Sequence, residues 1–271
     1  MIKLNDEIIE QNNFPDGTLH LNEDVYIVYG QDIPNLVSWH YENDAELFTL
    51  ICLVKHIRRI NGEKTKLNLF MPYIPHARMD RVKEDNDVFT LKYFAEVIND
   101  LHFNCVYVLD PHSNVSKALL DNVCEDPWGD LVQWAADNSV LDSKEKFIIF
   151  YPDEGSVKRY ASSISYPYAF GVKRRDWKTG QIMGLDVIGE SESIKDSNIL
   201  IIDDICSRGG TFLHSAKKLK ELGANKIYLY VTHCENTILE GELLTSGLIE
   251  KVYTTNSIFT KEHEKIEVFE L

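Results

Sequence analysis

Two adjacent carboxylates, Asp203 and Asp204, stand in the stretch NILIIDDICSRGGT, and Ser207, Arg208, Gly209, Gly210 and Thr211 come within a few residues. Neighbouring carboxylates repel, so a pair at the end of an apolar run calls for a ligand or a cation. The residues behind them have the opposite character. Hydroxyls, a guanidinium and glycine N–H groups are donors suited to an anion. Ser207–Thr211 would therefore hold a phosphate, while the carboxylates accept hydrogen bonds from vicinal hydroxyls. Ribose 5-phosphate carries both features. The glycines and threonine alone would also fit an ordinary strand-to-helix turn.

Such a site needs a strand before it and a helix after it. Ile199–Ile202 reads as a buried parallel strand. Phe212, Ala216 and Leu219 recur on one helical face, and Gly223 stands where a helix ends. The same alternation runs through the chain. Strands are expected at Val25–Tyr29, Leu67–Pro72, Cys105–Asp110, Phe147–Asp153, Phe170–Lys173, Ile199–Asp203, Ile227–His233 and Val252–Thr255. Helices are expected at Ala45–Ile60, Val88–Leu101, Val157–Ser163 and Thr211–Leu222. This order predicts an α/β protein of mostly parallel sheets flanked by helices, with ligands at the carboxyl ends of the strands. The polar segment Glu125–Ser143 places the boundary between two domains near Ala136, giving residues 1–136 and 137–271.

Three further segments fall at expected strand ends. Pro72–Asp85, PYIPHARMDRVKED, gathers His76, Arg78, Arg81 and Lys83 around Asp80. A loop this basic in an acidic chain suits a polyphosphate or nucleotide, though a solvated charged loop would look the same. Asp110 and His112 stand two apart, so in extended chain they point the same way and could hold Mg²⁺ directly or through its waters. Asp153 ends an apolar run and Gly155–Ser156 opens a helix, another turn ready for phosphate. Lys173, Arg174 and Arg175 come after the next strand, either as a functional group of cations or as a solvated loop.

Together these motifs resemble, in order, those of the ribose-phosphate pyrophosphokinase (phosphoribosyl pyrophosphate synthetase) family. The Asp203–Thr211 segment is similar to its phosphoribosyl pyrophosphate loop, which type I phosphoribosyltransferases share. Ser207 and Arg208 stand where an acid and a threonine are usual. Pro72–Arg81 resembles the ATP-contacting loop, with Met79 in place of Gln. VLDPHS, Val108–Ser113, is similar to the Asp-Leu-His-Ala metal motif, and Lys173–Arg175 to the Lys-Arg-Arg flexible loop. The Asp153 segment matches an Asp-Gly-Gly motif in which Glu154 and Ser156 depart. FPDG, Phe14–Gly17, resembles an adenine-reaching element, with Thr18 replacing its Glu.

The resemblance implies two tandem type I phosphoribosyltransferase-like domains, ATP and metal loops in the first and the ribose 5-phosphate loop in the second. It implies transfer of a diphosphoryl group from ATP to the C1 hydroxyl of ribose 5-phosphate, with Mg²⁺ as cofactor. ATP would meet Phe14, Asp16, Arg78, Asp80, Arg81 and His112. The metal would lie among Asp110, His112, Asp121 and Asp153, and Lys173 and Arg175 would act on the transferring group. A homo-oligomer, dimer or hexamer, is implied as well. Two alternatives share the loop: a phosphoribosyltransferase, or a catalytically silent protein associated with a synthetase.

Bulk properties exclude other classes. The 271 residues hold 43 acids against 28 bases, a net charge of −15, which disfavours nucleic acid as a partner. No apolar run approaches the roughly 20 residues of a membrane helix. The N-terminal MIKLNDEIIEQNN lacks the pattern of a signal peptide, and a cytoplasmic protein is expected. Five scattered cysteines without a CxxC pair argue against a disulfide framework and a structural zinc site.

Overall fold

The computed structural model describes residues 1–21, 34–126, 129–139, 146–175, 182–189 and 193–271. Chain contacts divide it into two units, Met1–Asp126 and Pro127–Leu271. The strand expected at Val25–Tyr29 lies outside the described residues.

The first unit is built on a six-stranded sheet. Its members are β1 (Ile2–Leu4), β2 (Glu7–Ile8), β5 (Asn35–Trp39), β6 (Leu67–Phe70), β7 (Cys105–Leu109) and β8 (Val123–Asp126), in the order β2-β1-β5-β6-β7-β8. Strands β5 to β8 run parallel, while β1 and β2 are antiparallel additions at one edge. A small hairpin, β3 (Asn12–Asn13) with β4 (Leu19–His20), stands apart from this sheet. Helices α1 (Ala45–Asn61), α2 (Thr90–Asn99) and α3 (Asn114–Leu119) are the crossovers that parallel strands require. Helix α1 buries Leu50, Leu53, Val54 and Ile57, with Leu47 and Ile51 packed on the edge of the core. Strand β5 was not expected. Its Asn35, Val37 and Trp39 are buried while Leu36 and Ser38 are half-buried, an alternation shorter and more polar than the continuous runs elsewhere.

The second unit carries seven strands in the order β11-β10-β9-β12-β13-β14-β15. They are β9 (Phe147–Tyr151), β10 (Tyr168–Arg175), β11 (Ile182–Gly189), β12 (Asn198–Cys206), β13 (Ile227–Cys234), β14 (Lys251–Thr255) and β15 (Ile266–Phe269). All are parallel to their neighbours except β11, which pairs antiparallel with β10 at the edge. Strand β12 is central, and its run Asn198–Ile202 is wholly buried, as a strand covered on both faces must be.

Helices α4 (Gly129–Ser139), α5 (Glu154–Tyr160) and α6 (Gly210–Glu221) complete this unit. Helix α4 occupies the polar segment in which the domain boundary was expected. It buries Leu131, Val132, Ala135 and Ala136, and Tyr253 Oη donates to its Asn138 carbonyl at 3.0 Å. Helix α5 begins at Glu154 rather than Val157, because Asp153 caps it by accepting from Gly155 N and Ser156 N. Helix α6 ends as its glycine promised. Gly223, at φ 89°, donates to the Lys220 carbonyl and Ala224 N–H to that of Leu219, the paired bonds of a Schellman cap.

One cysteine expectation is corrected. Cys105 and Cys124 are joined across the neighbouring strands β7 and β8, with Cα atoms 6.3 Å apart. Nineteen residues of chain separate them, and only the parallel crossover makes them neighbours. No helix among the described residues is long and apolar enough to cross a membrane.

Candidate active site

In the second unit, β12 ends just past the two carboxylates, and α6 begins within a few residues of the last strand residue. The side chains of Asp203 and Asp204 do different things. Asp203 Oδ1 accepts from Ser156 Oγ at 2.9 Å and from the Asp204 N–H at 3.0 Å. Asp204, almost fully buried, forms an ion pair with Arg159 at 2.9 Å. Burial, and after it the charges of Asp204 and Asp153, push the Asp203 carboxyl well above the ordinary carboxylate range; the Ser156 hydrogen bond opposes this. Such a group gains when hydroxyl donors surround its charged form.

Helix α5 therefore buttresses the pair. Its cap Asp153 reaches Ser156 Oγ at 3.4 Å, so Ser156 stands between Asp153 and Asp203. Ser156 and Arg159 were not among the expected site residues. Their spacing of three from Asp153 and from each other, one helical face, was the available signal.

The Ser207–Thr211 loop is shaped by glycine. Gly209 caps α6 at φ 77°, in the left-handed region, and a Cβ there would press into the Leu243 side chain. Gly210 and Thr211 open the helix, where N–H groups of the first turn have no intrahelical carbonyl. Gly210, Thr211 and Arg208 are exposed and Ser207 half-buried. The loop rests on the 3₁₀ turn Asn236–Glu240 and on Gly241 and Leu243 beyond it. A side chain at Gly241 would run into the Arg208 carbonyl, and Arg208 pairs with Glu240 at 2.9 Å.

In the first unit, the basic loop and the Asp110–His112 motif come together. Leu109 N–H donates to the Pro72 carbonyl at 3.0 Å, extending the β6–β7 ladder into the loop. Asp80 is buried and takes a two-pronged bond from Arg81, at 2.7 and 3.1 Å. Burial works against its charge, yet hydrogen bonding from Arg81, with Ser113 and His112 alongside, outweighs it and holds the carboxyl below its usual range. Asp110 is buried, at φ 41°, and His76 turns the loop at φ 63°. Non-glycine residues rarely adopt such angles, and they gather where a chain must present side chains at a site. His76 Nε2 lies 3.3 Å from Asp44. Arg78, Met79 and Arg81 are all exposed at the loop's turn.

Other expected residues lie elsewhere. Asp121 precedes β8 and thus sits at the amino edge of the sheet, whereas Asp110 comes after β7 at the carboxyl edge. Asp121 lines a polar cavity of about 400 Å³ with Asn99, His102, Asn104 and Asn122. Phe14 and Asp16 are on the β3–β4 hairpin. Phe14 packs on His20 at 4.6 Å, and Asp16 accepts from Thr18 N–H and Oγ1 at 3.0 and 2.7 Å, which keeps its carboxyl below the usual range. Lys173 and Arg175 belong to β10, their backbones paired with Leu185 and Ile182. Among the described residues no three His, Cys, Asp or Glu side chains gather as a metal-holding group.

Comparison with known proteins meets this geometry. Residues 182–270 match the family described as phosphoribosyl synthetase-associated domain. The ribose-phosphate pyrophosphokinase of Bacillus caldolyticus is 27% identical over 269 residues, covering 94% of this chain and 79% of that one. That of Hyphomonas neptunium is 26% identical over 87% of this chain and 75% of its own length. That of Thermococcus kodakarensis is 27% identical over 93% and 86%. The chain is a relative of the ribose-phosphate pyrophosphokinases. The crystal structure of phosphoribosylpyrophosphate synthetase from Mycobacterium smegmatis superposes with a TM-score of 0.77 over 97% of this chain and 86% of that one, at 19% identity. The fold is thus the tandem type I phosphoribosyltransferase-like arrangement. Three of this chain's departures from the motif patterns of the ribose-phosphate pyrophosphokinases are engaged locally: Arg208 by Glu240, Ser156 by Asp203, and Thr18 by Asp16.

Proposed function

We propose that the chain is a ribose-phosphate pyrophosphokinase. It moves the diphosphoryl group of ATP onto the C1 hydroxyl of ribose 5-phosphate, giving phosphoribosyl pyrophosphate and AMP. The observation that carries this reading is the α5-buttressed pair of half-buried Asp203 and buried Asp204, followed directly by the Ser207–Thr211 loop. The carboxylates accept from the ribose hydroxyls, and the loop N–H groups with Ser207 and Arg208 hold the 5-phosphate. The domains divide the work in the same way: ATP and metal loops in the first unit, the sugar phosphate in the second.

Asp80 anchors the basic loop from beneath, so Arg78 and Arg81 present their charge to the ATP phosphates. Asp110 and His112 offer oxygen and nitrogen donors for Mg²⁺, and Asp153 offers a carboxylate in the second unit. The donor set fits this ion. Mg²⁺ keeps much of its hydration shell, so a carboxylate and an imidazole would hold it directly or through its waters. Bound there, Mg²⁺ would neutralise phosphate charge. Lys173 and Arg175 stabilise the negative charge that develops on the transferring group. The protein acts in the cytoplasm as a homo-oligomer.

The test is ³¹P NMR of the protein with Mg²⁺, ATP and ribose 5-phosphate. Resonances of AMP and of a diphosphoryl group on C1 support the reading; absence of both from folded protein supplied with phosphate refutes it. A second reading, a silent synthetase-associated protein, is favoured only by the description of the family matched at residues 182–270. Binding of both substrates without turnover would select it.

A further inference from the structure

We propose that Glu240 sets the affinity of the phosphate loop by competing with the sugar phosphate for the Arg208 guanidinium. The inference rests on the assignment of Ser207–Thr211 to the 5-phosphate. Within that loop Arg208 is the only cationic side chain, and it stands beside the glycines that open α6. Its guanidinium is 2.9 Å from the Glu240 carboxylate. Both side chains are largely exposed, at 71% and 59%, so the pair is weak and exchangeable. A doubly charged phosphate on the helix N-terminus offers the guanidinium a stronger, two-pronged partner.

The placement of Glu240 is built into the fold. Strand β13 runs beside β12 to the register Cys206–Cys234, and Glu235 N–H donates to the Cys206 carbonyl at 2.8 Å. The 3₁₀ turn Asn236–Glu240 then leads into Gly241, which lies so close to the Arg208 carbonyl that no side chain fits, while Leu243 packs on Gly209. Glu240 is thereby fixed beside the loop by the contacts of Gly241 and Leu243. An anion so near a phosphate site opposes the ligand, and it does so through the residue that departs from the usual threonine.

The geometry yields a defined chemical role. With Glu240 in place, Arg208 turns to the loop only when a phosphate dianion competes for it, so the pair lowers the affinity for sugar phosphates and leaves that for neutral sugars unchanged. Calorimetry of ribose 5-phosphate, with ribose as the neutral probe, tests this on wild type, Glu240→Gln, Arg208→Ala and the double variant. Removing an exposed competing pair should tighten ribose 5-phosphate binding about three- to tenfold in Glu240→Gln. The gain should vanish in the Arg208→Ala background, and ribose should respond to none of the changes. Unchanged affinity in Glu240→Gln, or an equal gain with and without Arg208, overturns the proposal while leaving the phosphate site standing. If wild type and all variants, folded by circular dichroism, ignore ribose 5-phosphate, the loop assignment itself fails.

Discussion

The two strand-end sites handle charge in opposite ways. In the first unit the acids are inside and the cations outside: Asp80 and Asp110 are buried, while Arg78 and Arg81 reach into solvent. In the second unit Asp203 stands half-buried at the strand end, its carboxyl raised by burial and by its neighbours, while Asp204 lies buried against Arg159. On the proposed function, a flexible polyphosphate meets long cations at the surface of the loop. On the same reading, a ring with fixed hydroxyls meets short carboxylates held on a strand and braced by Ser156 and Arg159. The contrast teaches that preorganisation is placed where the ligand is stiff.

The largest effect should come from neither site. If the two units bind and β10 supplies the chemistry, Lys173→Ala lowers kcat by ~10²–10³-fold while both KM values hold, as loss of a transition-state donor does. Steady-state kinetics would break the comparison if KM rose and kcat did not. Next is Asp203→Ala, expected to weaken ribose 5-phosphate about 10²-fold by calorimetry and to leave ATP binding intact. An equal loss for both ligands would mean that the sites are not separate. Arg78→Ala should be milder, raising KM for ATP about three- to tenfold, with the deficit shrinking as salt is added because a solvated cation is screened.

The smallest effect concerns stability and has the opposite sign. A carboxyl whose pKa is raised in the folded state binds its proton more tightly there than in the unfolded chain. Its stabilising contribution is full below the unfolded value, near 3.8, and is lost as pH rises towards the folded one. Asp203→Asn should therefore raise the melting temperature at pH 7 by about 2–4 °C in metal-free buffer, and the gain should disappear near pH 4. No gain at pH 7 would show that Asp203 is not strained by its surroundings. The corresponding change at Asp80, whose carboxyl lies below its usual range, should instead destabilise at pH 7.

Much of this was legible in the residues. Ile199–Ile202 and Ile227–His233 read as strands because a strand covered on both faces is largely apolar. The Gly223 cap read correctly because only the left-handed backbone explains a glycine there. Helix α4 was hidden, since Trp134, Gln133 and Asp137 dilute its pattern and its buried alanines are small. The start of α5 was set by an aspartate read as a ligand that also serves as a cap.

By itself the sequence determined which chemistry stands at which strand end, because apolar runs and the turns that close them are local. It named Asp203, Asp204 and the Ser207–Thr211 loop in this way. What a residue faces across the sheet is not local. Only the tertiary structure put Asp121 at the edge opposite Asp110, joined Cys105 to Cys124, and brought Ser156 to Asp203 across 47 residues and Glu240 to Arg208 across 32. The physical reason is the parallel crossover. It returns the chain to the same sheet edge after a helix of variable length, so neighbours in space carry no fixed spacing in sequence.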